Sequence, residues 1–504
     1  MLTVFGSNFN EKNSANGLTK QRLRLYNQYP GCYINFAQMT TDLVRIKAMG
    51  FDQVWVNPFY QTCQHNLLNS NKVHCPYAMS DHMSINPEYG DSFRDVIKYT
   101  KRANELDIAP LFDLVARHVA IDHPFVNGDP HLLKKGIDTK RWFLRHPNGN
   151  FVIKGMDENY TSIKDDPWSD VVAFDYSNPV VRQEIFDYFW KPFIDFNIRK
   201  LGFQGARLDA VGSISRETHE LLLPYIDKVC QEVHNKKAYL VAETVGLRYM
   251  PFNGVVQGLV THTMNNSFWM PGPEGRIDRD KKEVKYELWR DDSNWHETSK
   301  SELQKIGPSA GHSGSHDEDR YPHILKSAGI KDPNLMKQRM IEMIMVAAFG
   351  SNGGHILAFG DEFGIEDKVD LLHRKVVHVA EEKKYDLKEE ITEINSIVNQ
   401  LPSPSKNEWT QRVYLDKYPE LVIFIVHKNT GFDGDSHIII GNINSTKHDI
   451  RLDQAMLDEI LKANGRNTTA AQLKQPNKVY LCGNVKNALG DDHEPSKKSR
   501  SSRI

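Results

Sequence analysis

Short apolar runs alternate with longer amphipathic segments from about residue 33 to residue 360, and this rhythm limits the fold more than any other feature of the chain. A buried parallel strand needs an apolar run, and the crossover to the next parallel strand needs a helix with one apolar face. FDQVWVNP is such a run, closed by Pro58, and the segment before it, FAQMTTDLVRIKAMG, sets Leu43, Ile46 and Met49 on one helical face. Further strands are expected at IAPLFDLV, FQGARLDAV, KAYLVAE and GGHILAFG, and RETHELLLPYIDKVCQEV spaces Leu222, Ile226, Val229 and Val233 as a helix. Repeated βα units of this kind are the pattern of an α/β chain wound around a parallel sheet, and a TIM (β/α)8 barrel is the expected form.

A barrel of roughly 250 residues leaves part of this 504-residue chain to place. Residues 119–172 break the rhythm with His, Pro, Asp, Asn and Trp, in DHPFVNGDPHLL, RHPNGNF and DDPWSD, and are expected to form a lobe inserted after strand 3. After LPSPS the pattern becomes RVYLDK, LVIFIVHK and HIIIGNIN, an antiparallel β domain of sandwich type over 408–484. The barrel with its lobe then occupies 1–407, and the polar, basic stretch 485–504 is expected to be a disordered tail.

Charge excludes some partners. With 63 basic and 65 acidic residues the formal charge is −2, so neither nucleic acid nor an anionic membrane is attracted as a whole, and a neutral substrate fits better. The basic tail has no interleaved aromatics and is read as solvated. Five cysteines, Cys32, Cys63, Cys75, Cys230 and Cys482, with no CxxC pair, suggest neither a disulfide framework nor a zinc site. His118, His123, His131 and His146 lack a compact metal spacing. The start has no basic segment followed by an apolar stretch, so a cytoplasmic location, or export without an ordinary signal peptide, is expected.

On a barrel, reactive groups stand at the carboxyl ends of strands, so acids that close apolar runs are the candidates. Four segments qualify: Asp113 after IAPLF, Asp209 in GARLDA, Glu243 after YLVA, and His316-Asp317 in SGSHDEDR. Arg207 lies two positions before Asp209 and therefore shares its strand face.

In this order, DLVARH, GARLDA, ETVG and SHDEDR resemble the signature regions of the alpha-amylase superfamily of glycoside hydrolases. PYAMSDHMSINPEYG, DYSNP and FGDEFG add supporting matches, and the likeness spans most of the chain. The resemblance implies a retaining enzyme on an α-1,4-glucan or maltooligosaccharide. Asp209 would be its nucleophile, Glu243 its general acid/base and Asp317 the third carboxylate, on the sugar hydroxyls. Retention requires two carboxyls about 5 to 5.5 Å apart, one attacking the anomeric carbon and one protonating the leaving oxygen. His118 and His316 resemble the pair of histidines that bind hydroxyls of the cleaved sugar. Tyr77 resembles the aromatic platform beneath that sugar, Arg207 would hold the nucleophile, and Asp113 would support Arg207. Trp142, Trp168, Trp269 and Trp289 fit sugar stacking and core packing equally.

Two departures matter. Calcium-dependent relatives carry Asn where this chain has Arg117; a guanidinium has no acceptor and the wrong charge, so no calcium, no other metal and no cofactor is expected. After Asp209 the chain reads AVGSIS, with Gly212 and Ser213 where starch-cleaving members commonly have Lys-His. That stretch resembles sucrose-phosphorylase-like and transferase-like members, and other segments resemble maltosyltransferases. Hydrolysis is the leading expectation, glycosyl transfer the second, and an inactive carbohydrate-binding barrel the third.

Overall fold

The structure, a computed structural model, describes residues 21–64, 75–90, 92–145, 170–244, 254–265, 306–317, 319–327, 329–350, 352–371, 374–404, 408–413, 420–427, 436–443, 450–463, 479–483 and 485–487, with a few positions between them. Eight parallel strands close a barrel: β1 (Leu23–Gln28), β2 (Gln53–Val56), β3 (Ala109–Leu114), β4 (Gly205–Leu208), β5 (Tyr239–Thr244), β6 (His262–Asn265), β7 (Ser309–His312) and β8 (Gly354–Ala358). Each pairs with its sequence neighbours, and β8 returns to β1 with Tyr26 beside Leu357. The barrel expected from the βα rhythm is therefore present, and it begins earlier, at Leu23. Leu25, Trp55, Leu111, Val241, Met264 and Ile356 point inward and fill its interior.

The outer face packs on helices. Phe36–Ala48 is capped by Asn35, whose side chain accepts the Gln38 N–H, and it buries Phe36, Met39, Leu43 and Ile46. Helix Arg216–His234 buries Leu222, Ile226 and Val229 as expected, but Val233 is 40 % exposed. A 19-residue helix is about 28 Å long, whereas four to six strand residues span about 13 to 20 Å. The last turn therefore overhangs the barrel. Backbones approach closely at β4, where a Cβ on Gly205 would lie 2.1 Å from the Tyr239 carbonyl oxygen.

After β3, His118–Ala120 pairs antiparallel with Val171–Ala173 at the base of the inserted lobe. Trp142, in that lobe, is fully buried, and its indole donates to Glu184, so it packs in the core rather than offering a sugar platform. Trp168, Trp269 and Trp289, and most of DDPWSD, lie outside the described residues.

Beyond the barrel, β9 (Trp409–Val413), β10 (Leu421–His427) and β11 (Ser436–Asn442) form the expected antiparallel strands. They are followed by β12 (Ile450–Leu452), β13 (Val479–Cys482) and β14 (Val485–Asn487). Here the unit departs from a purely antiparallel plan: β13 joins β11 in parallel, and helix Gln454–Ala463 buries Met456, Leu457, Ile460 and Leu461 against the sheet. Strand β14 pairs with β12, so the segment expected as a tail from 485 starts as ordered sheet. Arg22, just before β1, fastens this unit to the barrel by pairing with Glu408 and donating to the Asn352 and Pro402 carbonyls. Among the described residues no helix is long and apolar enough to cross a membrane.

Candidate active site

All the candidate residues gather at the carboxyl-terminal mouth of the barrel, where β2, β3, β4, β5 and β7 end. Arg207 organises them. It is almost fully buried beneath the cleft, and its guanidinium lies 4.7 Å from the centre of the Trp55 ring. One terminal nitrogen, Nη1, donates to Asp113 Oδ1 at 3.0 Å and to Asp209 Oδ1 at 2.6 Å. The other, Nη2, pairs with Glu243 Oε1 at 2.6 Å. A planar fork with donors in fixed directions is suited to hold three carboxyl groups this way. The side chains of Asp209 and Glu243 keep 13 % and 19 % of their surface open to the cleft, while Asp113 has none.

The turn after Asp209 completes the clamp. Ala210 adopts the left-handed conformation, with φ 44° and ψ 44°, and its N–H donates to Glu243 Oε2 at 2.7 Å. Such a conformation is uncommon for a residue with a Cβ and is stored strain of roughly 1 to 2 kcal/mol. Here it aims a backbone donor from the turn after β4 at Glu243 on the next strand.

Electrostatics separates the carboxyls. Burial pushes Glu243 up to about 8, with Arg207 opposing and the charges of Asp209 and Asp317 adding to the rise. Below that pH it carries a proton that it can give. Asp113 is likewise raised by burial, to about 7, against Arg207. Its remaining oxygen accepts from Trp55 Nε1 at 3.1 Å and from the Tyr77 hydroxyl at 3.0 Å.

A chain of amides sets the polarity of the cleft floor. Asn27 Nδ2 donates to the Trp55 carbonyl at 3.2 Å, which fixes how that amide is turned, and it also donates to Asn57 Oδ1 at 2.6 Å. Asn57 must then present Nδ2 to Tyr77 Oη, 2.8 Å away, and to His316 Nδ1, 3.3 Å away. Burial pulls the His316 pKa down and keeps the ring neutral. With Nδ1 accepting, the proton sits on Nε2, facing the Tyr77 hydroxyl at 2.8 Å and Asp317 Oδ2 at 3.4 Å. The Tyr77 and His316 rings stack, with centroids 5.3 Å apart and planes 9° off parallel. His118 is neutral too, its pKa lowered by burial to about 4, and its Nε2 meets the Tyr77 carbonyl at 3.1 Å.

Asp317 is the most open of the acids, with 48 % of its side chain exposed, and Lys368 donates to its backbone carbonyl at 2.7 Å. The loop carrying it is anchored by Arg320, which pairs with Asp361 of FGDEFG at 3.0 Å. Asn27, Asn57, Trp55, Arg320 and Asp361 complete the site and were not singled out by sequence reasoning. For Asn57 a signal exists: it follows β2 two positions after Trp55, at the strand end where barrels carry function. Asn27 sits in a strand that the apolar pattern did not reveal.

Among the described residues no three His, Cys, Asp or Glu side chains are grouped to hold a metal. At the junction of barrel and lobe, the Arg117 carbonyl already accepts the Phe174 N–H at 3.0 Å, and its side chain is a cation. A guanidinium offers calcium no ligand atom.

A closed parallel barrel with an arginine-clamped set of carboxylates at its carboxyl-terminal mouth defines a class of acid-lined TIM barrels. The chain belongs to the alpha-amylase family: residues 35–412 match that family's description, alpha amylase, catalytic domain. It is similar to alpha-amylase 3 of Dictyoglomus thermophilum, 27% identical over 171 residues, which are 33% of this chain and 30% of that protein. It is also similar to the oligo-1,6-glucosidase IMA5 of Saccharomyces cerevisiae, 25% identical over 134 residues, 27% of this chain and 20% of that one. The matches thus span less than a third of either relative's length. Among solved structures, a maltogenic alpha-amylase from Thermotoga neapolitana shares the fold with a TM-score of 0.58 at 18% identity, over 80% of this chain and 82% of that one.

Proposed function

We propose that the chain is a retaining α-glycosidase acting on α-1,4-glucans, with Asp209 as nucleophile, Glu243 as acid/base and Asp317 binding hydroxyls of the distorted sugar. One observation carries this reading: a single guanidinium holds both Asp209 and Glu243, through Nη1 and Nη2, at 2.6 Å each. Two carboxyls on one fork are close neighbours, which favours the roughly 5 to 5.5 Å spacing of retaining enzymes over the wider gap that admits a water for inversion. Asp209 Oδ attacks the anomeric carbon as Glu243 gives its proton to the departing oxygen. Glu243 then takes a proton from water, which breaks the bond between sugar and Asp209. His316, Tyr77 and His118 would orient the sugar, with Asp113 and Arg207 supporting the nucleophile.

Proton NMR of the first product anomer released from maltoheptaose tests this: an α anomer is expected, and a β anomer overturns it. Equal turnover by Asp209→Asn and the parent would remove the catalytic assignment and favour a binding barrel. Transfer is the second reading, supported by the short turn Val211–Ser213, which places no cationic side chain after the nucleophile. Products longer than maltoheptaose would favour it. Arg117 supports a further proposal, that no calcium is needed at the junction of barrel and lobe.

A further inference from the structure

A cavity of about 720 Å³ opens at the opposite, amino-terminal end of the barrel, at the starts of β2, β3, β4 and β5. Its size falls within the roughly 300 to 1,000 Å³ of small-molecule sites. Nothing in the proposed reaction uses it. Its charged lining cancels, with Asp52 and Asp107 against Lys236 and Lys237, while amides supply most of the remaining polar groups.

These amides are paired in a way that leaves hydrogen-bonding capacity. Gln204 donates to Asn104 on one wall, and Gln231 donates to Asn235 at 3.1 Å on the other. However each amide is turned, a pair uses one donor and one acceptor and retains one carbonyl oxygen and one NH2 group. A vicinal diol needs the same complement, one acceptor and one donor on adjacent atoms.

The floor is directed as well. Gln53 is buried, and its Oε1 accepts the Arg24 backbone N–H at 3.1 Å, so its NH2 must face the other way. It faces the Tyr239 hydroxyl: burial raises that phenol's pKa, the Asp52 charge adds to the rise, and the hydrogen bond from Gln53 opposes it. Tyr239 itself lines the cavity, and its half-buried aromatic ring is suited to a sugar's CH face.

We infer that this cavity is a second, non-catalytic carbohydrate site, which binds a neutral run of glucose units at the end of the barrel away from the carboxylates. The identity of the sugar rests on the proposed function; the geometry of the site does not. Anchoring a polymer there raises the local concentration of its chain ends at the cleft.

The test uses the full chain. Calorimetric titration of Asp209→Asn with maltoheptaose is expected to show two sites, one of which is lost when Gln204→Leu and Gln231→Leu are added. In the otherwise native chain, the same two substitutions should leave kcat/KM on maltotriose unchanged and raise KM on glycogen several-fold. A single site in every protein, with unchanged KM on glycogen, overturns the inference. If maltoheptaose binds only at a site abolished by Gln204→Leu and Gln231→Leu, the proposed function fails and the cavity assignment stands.

Discussion

Replacing Arg207 by lysine keeps the charge and removes the fork, which makes it the sharpest test of the clamp. In the native chain Nη1 reaches Asp113 and Asp209 while Nη2 reaches Glu243, all within 3.0 Å. A lysine ammonium is one point on a shorter stem and cannot meet carboxylates on both sides of the fork. The contact to Glu243 or to Asp209 is then lost. A charge-assisted hydrogen bond is worth about 1.5 to 3 kcal/mol, and misplacing Asp209, the proposed nucleophile, adds to that, for a total of about 3 to 4 kcal/mol, or a 10²- to 10³-fold fall in kcat. The pH profile moves as well. Arg207 is what opposes the burial of Glu243, so a weaker contact lets the Glu243 pKa climb above about 8. The alkaline limb of kcat/KM should therefore shift to higher pH. The assay is reducing-sugar release from maltoheptaose between pH 5 and 10, with thermal melting to confirm that the barrel is folded. A folded Arg207→Lys protein with kcat within threefold of the parent and an unmoved alkaline limb would refute the clamp.

Other outcomes follow from the same geometry. In the parent, kcat/KM should fall as pH rises through about 8, because Glu243, as the proposed acid, must be protonated to act first; a profile flat to pH 10 would contradict that proposal. Glu243→Gln should cost about 10² to 10⁴ in turnover of maltoheptaose yet largely spare the first step on an aryl glucoside with a good leaving group, read as a burst of phenol. Asn57→Ala leaves buried partners on His316 and Tyr77 unmet and should cost about 1 to 3 kcal/mol in urea unfolding, together with a loss of turnover. Dialysis against a chelator should leave activity unchanged; activity lost and restored only by calcium would show that Arg117 does not exclude the ion.

The parts of the fold legible in the sequence are those where burial shows as an apolar run. Strands β2, β3, β4, β5 and β8 were visible in VWV, PLF, GARL, YLVA and HILA. Strand β7, Ser309–His312, reads SAGH because helix Pro333–Phe349 presses on its backbone: a Cβ on Gly311 would lie 2.2 Å from the Ala347 carbonyl oxygen. Strand β1 hides buried Asn27 and Gln28, whose partners are Asn57 and Trp55 for the first and Tyr33, Met39 and Tyr99 for the second. Polar residues satisfied at long range look like loop in one dimension. In the same way, the acids were legible because they end strands and sit in matched segments. The amides that orient His316 were not, since their role depends on three strands meeting.

Arg22 has a consequence for how the chain reaches this state. It stands at the seam where β1 meets β8, and its buried charge is answered by Glu408, beyond the last barrel strand. While the chain is being synthesised, the charge of Arg22 stays unpaired until residue 408 has emerged, although every barrel strand, and the Asn352 and Pro402 carbonyls that Arg22 also meets, are already present. This pairing ties the seam of the barrel to the segment that leads into the C-terminal sheet, and the two are expected to unfold together. Calorimetry should record a single transition, and a fragment ending near residue 404 would carry an unanswered cation at its seam and accumulate as aggregate.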